Sequence, residues 1–80
     1  MKKYDINGRL TKVVCNGCGS NIPHSGNIII GAALSFRAEW GYFSEKDGET
    51  HSFDLCESCY DRIVKDFAIP VEIEERTELL

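Results

Sequence analysis

The sequence predicts a small α+β domain in which a tight cysteine-containing turn, a β-hairpin and one C-terminal helix meet at a common point. Three observations predict it. Every cysteine of the 80-residue chain falls in one of two Cys-x-x-Cys pairs, Cys15/Cys18 and Cys56/Cys59. Between the pairs, Asp47-Gly48 sits among alternating apolar and polar residues, the pattern of a hairpin. After the second pair, Tyr60, Ile63, Val64 and Phe67 recur at helical spacing and make one apolar stripe.

Taken in order, residues 1–9 are polar, with a turn at Asn7-Gly8. The chain reads as one domain, 1–80, with 1–9 and 75–80 as mobile ends. Residues 10–15 read as a short strand through Val13 and Val14. Cys15-Asn16-Gly17-Cys18-Gly19 is a tight turn in which Gly17 and Gly19 permit positive φ. Residues 21–27 read as loop, and Ile28-Ile29-Ile30 as strand. Centring the hairpin on Asp47-Gly48 sets Lys46 opposite Glu49, Ser44 opposite His51, Tyr42 opposite Phe53 and Trp40 opposite Leu55. Ala38, Trp40, Tyr42, Phe53 and Leu55 then share an apolar face, and Arg37, Glu39, Ser52 and Asp54 a polar one. The helix begins around residues 56–58. Asp54 and Glu57 have capping-box spacing, and Asp61/Lys65 forms a favourable i, i+4 pair. Ile69-Pro70 ends the helix. Val71-Glu72-Ile73-Glu74 alternates like an edge strand, and Leu79 and Leu80 are candidates to dock.

The cysteine spacing carries the chemistry. Two intervening residues let both sulfurs of a pair reach one ion at about 2.3 Å, and two such pairs supply a tetrahedral four-thiolate shell suited to Zn²⁺. The first pair lies in a glycine-rich turn. The second lies at a helix start, where free N–H groups favour negative sulfur. One structural zinc on Cys15, Cys18, Cys56 and Cys59 is therefore expected. Iron in a rubredoxin-like site uses the same ligands and stays open. A redox role for Cys56/Cys59 also stays open, although it leaves Cys15 and Cys18 unexplained and no thioredoxin-like βαβ pattern surrounds it.

The layout resembles treble-clef and zinc-ribbon proteins. In treble clefs a zinc knuckle, here Cys15-Asn16-Gly17-Cys18, is followed by a hairpin, and a helix start supplies the last two ligands, here Cys56-Glu57-Ser58-Cys59. The stretch His51-Ser52-Phe53-Asp54-Leu55-Cys56-Glu57-Ser58-Cys59-Tyr60 is similar to that of small bacterial or phage four-cysteine zinc proteins of unknown function. The resemblance spans residues 10–67. It implies a zinc fold without implying one function, because such folds serve protein docking, nucleic-acid binding and scaffolding.

Charge narrows the functional classes. Thirteen acidic residues face nine basic ones, a formal net charge of −4, and four thiolates on a divalent ion make the total more negative. Such a surface repels phosphate backbones on average. The charge is uneven: Lys2, Lys3, Arg9 and Lys12 mark one end, and Glu72, Glu74, Glu75 and Glu78 the other. No apolar run approaches the roughly 20 residues that span a membrane, and no signal-peptide pattern follows Met1, so a cytoplasmic protein is expected. His24 and His51 read as surface residues, and Glu45, Asp47 and Glu49 as a solvated hairpin tip. No catalytic motif stands out, and no enzyme or small-molecule substrate is expected. The preferred expectation is an adaptor that binds another protein or a second copy of itself, motivated partly by the apolar run 28–30. A nucleic-acid-binding regulator is the alternative, using the basic segment 2–12.

Overall fold

Three short antiparallel hairpins precede one helix in the computed structural model, which describes residues 1–76. Strands β1 (Lys2–Tyr4) and β2 (Leu10–Val13) form the first hairpin, β3 (His24–Ser25) and β4 (Ile28–Ile29) the second, and β5 (Ala33–Glu39) and β6 (Thr50–Cys56) the third. Helix α1 (Glu57–Val64) follows β6 directly. Among the described residues no helix is long and apolar enough to cross a membrane.

The first hairpin departs from the expected polar lead-in. Lys2 pairs with Val13 and Lys3 with Lys12. The turn between them is held by Asp5, whose carboxylate accepts the backbone N–H groups of Asn7 at 2.8 Å and Arg9 at 2.9 Å. Gly8 adopts φ 80° there, a conformation open to glycine at little cost. Residues 21–27, read as loop, contain β3, and the Gly26-Asn27 turn joins it to β4. Asn27 Oδ1 accepts the Leu10 N–H at 2.8 Å and ties the first two hairpins together.

The main hairpin keeps its predicted faces but not its register. Leu34 lies opposite Leu55, Phe36 opposite Phe53 and Ala38 opposite His51. The expected pairs Trp40/Leu55, Tyr42/Phe53 and Ser44/His51 do not form. The local turn is present: Glu49 N–H reaches the Lys46 carbonyl at 2.9 Å, and Gly48 takes φ 90°. The chain does not leave that turn as paired strands. Ser44 N–H bonds to the Gly41 carbonyl and Asp47 N–H to the Ser44 carbonyl, so residues 40–49 are consumed in successive turns. The six-residue slip between expected and observed partners is even, and an even slip preserves which side chains share a face. Its gain is the pairing of Phe36 with Phe53, whose rings stack at 5.0 Å.

The helix is shorter than its stripe suggested. After Val64, the Asp66 and Phe67 N–H groups bond back to Ile63 and Val64, the i to i+3 pattern of a tightened last turn. Phe67 therefore lies beyond α1. The expected Asp54 cap is not made; Cys56 occupies the cap position in extended conformation without a side-chain cap bond. Asp61 and Lys65 form no ion pair among the described residues. Residues 71–76 form no strand, and the expected docking of Leu79 and Leu80 lies outside the described residues.

The core is small and is built around the thiols. Among the described residues its buried apolar members are Leu10, Val13, Cys15, Ile22, Leu55 and Cys59, and only Val13, Cys15 and Cys59 are almost wholly buried. Hydrophobic burial on this scale leaves little to oppose chain entropy, and two of the core's six members are free cysteines.

Candidate metal centre

The knuckle is a backbone loop closed on itself. Val14 bridges Asn21, Cys15 N–H reaches the Ser20 carbonyl at 2.9 Å, and Gly19 N–H reaches the Cys15 carbonyl at 2.8 Å. Gly19 needs its glycine for φ, at 81°. Gly17, expected to need one for the same reason, needs it for space. A Cβ at Gly17 would lie 2.8 Å from Cys59 Sγ and 3.1 Å from Cys59 Cβ. The knuckle thus rests directly on the helix cysteine.

Asn16 aligns the knuckle with β6. Its N–H donates to the Asp54 carbonyl at 2.8 Å, and its Oδ1 accepts the Asp54 N–H at 2.9 Å. Asn16 Oδ1 also accepts from the Met1 α-amine at 2.6 Å. That amine donates to Asp54 Oδ2 at 2.7 Å, while Lys2 Nζ and the Ser35 hydroxyl serve Oδ1. Asp54 is consequently only 3% exposed. Burial works to raise its pKa, but the hydrogen bonds from Lys2, the α-amine and Ser35 outweigh it and hold the carboxyl at about 2. The β1 segment is therefore pinned beside the thiol cluster.

All four Sγ atoms lie within 4.8 Å of one another, and Cys18 Sγ and Cys56 Sγ are 3.9 Å apart. A tetrahedron with Zn–S bonds of about 2.3 Å has sulfur–sulfur edges of about 3.8 Å; the Cys18–Cys56 pair matches that edge, and the remaining pairs lie close enough for one ion to be shared. Cys15 and Cys59 form the buried side of the cluster, and Cys18 and Cys56 the side nearer solvent.

Donors around the sulfurs suit thiolates. The N–H groups of Gly17 and Cys56 approach Cys15 Sγ at 3.3 and 3.4 Å. Chiefly through the Cys56 N–H, and against burial, Cys15 is lowered to about 6. The Ser20 hydroxyl, 3.0 Å from Cys18 Sγ, lowers that thiol too. Burial pushes Cys59 the other way, to about 12. Arg62 Nη2 donates to Cys59 Sγ at 3.3 Å. A divalent ion at the centre would offset the burial penalty on Cys59, because a coordinated thiol is held as thiolate. Four soft sulfur donors gathered in this way could hold a metal ion such as zinc or iron.

No protein-family model, curated protein or solved structure matches this chain.

All four cysteines named from spacing are brought together, 37 residues of chain looping out between the pairs. Neither histidine joins them. His24 Nδ1 donates to the Gly26 carbonyl at 3.1 Å, and His51 Nε2 lies 2.9 Å from Glu49 Oε1 with its ring edge-on to Trp40. Glu45 and Asp47 lie in the exposed turns at the tip. Sequence reasoning missed Asn16, Asp54, the α-amine and Arg62. Arg62 alone had a signal, three residues after Cys59 on the same helical face.

Proposed function

We propose that this chain is a zinc-stabilised protein-docking module of treble-clef type. The observation that carries the reading is the convergence of four thiols, from a tight turn and a helix start, to within 4.8 Å of one another. Four thiolates leave a zinc ion no open position for substrate or water, so the metal's role in this reading is to hold the fold. Zinc is favoured over iron by the structural economy of a redox-inert ion in so small a core. A thiol-redox role for Cys56 and Cys59 would leave the equal approach of Cys15 and Cys18 without a purpose.

Docking is supported by what the helix leaves open. The apolar face of β5 and β6 and the stripe of α1 meet at an angle and enclose a groove of about 430 Å³ instead of closing on each other. Phe36, Phe53 and Leu55 line one side, and Ile63, Phe67 and Val71 the other. Ile63 is 45% and Phe67 50% exposed. Apolar grooves bordered by polar surface are typical binding sites for polypeptide segments. The test is capture by the metal-loaded protein, compared with an Ile63→Glu variant of equal metal content. Partners retained by the parent protein and lost by the variant support docking. Identical capture by both, or none by either, refutes it.

A further inference from the structure

The groove has a charge, and so does one other feature of the surface. At its Tyr60 end stand Glu57 and Asp61, which line the adjoining depression with Tyr60 and Leu34. At its Val71 end the chain continues through Glu72, Glu74 and Glu75 to Arg76. None of these carboxylates forms an ion pair among the described residues. Two cations, Arg62 and Lys65, adjoin the stripe in sequence, and Arg62 is turned to Cys59. The opening is therefore apolar inside and predominantly acidic at both ends.

The complementary shape is the tip of the first hairpin. Ile6 is 98% exposed and Tyr4 57%. They are flanked by Lys3, Arg9 and Lys12, all exposed and without ion pairs among the described residues. The turn at the tip is closed by Asp5, which accepts from the N–H groups of Asn7, Gly8 and Arg9. Preorganisation of this kind lowers the entropic cost of docking. The other exposed aromatic tip, with Tyr42 and Phe43, carries Glu45, Asp47 and Glu49 against Lys46 and is repelled by the same rim. The exposed Ile28 and Ile30 bring no charge of their own.

The tip does not serve its own groove. Lys2 anchors β1 to Asp54 and Ser35 on the polar face of the β5–β6 hairpin, whereas the groove lies on the opposite, Phe36/Phe53 face. We infer that the groove accepts the Tyr4/Ile6 tip of a second copy of this chain, giving head-to-tail self-association. This rests on the docking reading above. One contact would bury about 600–800 Å² in total, which places it among weak, reversible interfaces. With tip and groove on opposite faces the contact is heterologous, and it propagates beyond a dimer unless the rotation closes a ring.

Sedimentation velocity on the metal-loaded full chain tests the inference. The parent protein should show mass rising with concentration past the dimer, weakened several-fold as sodium chloride increases from about 0.05 M to about 0.5 M. Ile6→Glu and Ile63→Glu should each weaken association by about 10–100-fold, and Lys3→Glu/Arg9→Glu, at two exposed positions, should do the same. An equimolar mixture of Ile6→Glu and Ile63→Glu retains one live tip and one live groove and should stop at a one-to-one dimer. A parent protein that stays monomeric, an association that ignores these substitutions, or a mixture that stays monomeric overturns the inference. Binding of an apolar fluorescent dye, present in the parent and lost in Ile63→Glu, separates the two readings. Dye binding by a strict monomer overturns self-association alone, and a parent that neither associates nor binds dye overturns docking as well.

Discussion

Replacing Gly17 by alanine probes the metal centre through a single methyl group. The added Cβ would stand 2.8 Å from Cys59 Sγ, 3.1 Å from Cys59 Cβ and 3.4 Å from Leu55 Cδ2. Ordinary carbon contacts begin near about 3.5 Å, so the sulfur or the knuckle must yield by more than half an ångström. Metal–ligand distances tolerate only about 0.2 Å, and Cys59 has no room to retreat, being 1% exposed. Overpacking of this sort costs about 1–3 kcal/mol. That cost falls on the bound state, so zinc affinity should drop by about 5–150-fold. Competition against a chromophoric chelator measures it. Gly41→Ala, where no atom lies within 4 Å of the new Cβ and φ is not positive, is the matched control and should bind as the parent does. A Gly17→Ala protein with zinc affinity within about twofold of the parent would show that the knuckle does not rest on Cys59 as described.

Three further outcomes follow from the surroundings of the site. Asp54→Asn should lower stability to urea at neutral pH by about 2–3 kcal/mol, the equivalent of holding the carboxyl at about 2 instead of 3.8. Because the folded-state value is depressed, this contribution is present above about pH 4 and is lost as pH falls toward about 2. The titration midpoint of the Asp54 carboxyl carbon by NMR should accordingly lie near 2; a midpoint at 3.8 or higher would contradict the α-amine and Lys2 anchoring. Arg62→Leu removes the N–H donor to Cys59 Sγ and should weaken zinc binding by about tenfold, at the low end for outer-shell groups because Arg62 is exposed. Unchanged affinity in chelator competition would mean that the guanidinium contributes nothing to the thiolate.

The parts of this fold that local chemistry dictates were legible in the sequence. The four cysteines carry their own geometric requirement, and their order along the chain implies a knuckle, a hairpin and a helix start. The Asp47-Gly48 turn and the two faces of the hairpin followed from conformational preference and a period of two. Register did not, because Gly41 and Ser44 add turns that no alternation pattern reveals. The Phe36/Phe53 stack rewards the observed pairing only once both strands exist. The role of Asp54 was misread for a related reason. Its spacing to Glu57 satisfies a local capping rule, but cations from Met1 and Lys2, more than fifty residues away, claim the carboxylate first. Long-range electrostatics of this kind leaves no periodic trace in a sequence.

The shape of the core gives a metal ion at the four cysteines a structural part to play. Among the described residues, two of its six buried apolar members are cysteines whose sulfurs face each other across the knuckle and the helix start. Without an ion, buried Cys59 is held as a thiol, far up at about 12, beside a Cys15 lowered to about 6. With one, the same atoms would become a cross-link between distant parts of the chain, and binding energy would become folding energy. Elemental analysis of anaerobically purified, folded protein tests this most directly. The account predicts one zinc ion per chain, and a folded chain that carries no metal would contradict it.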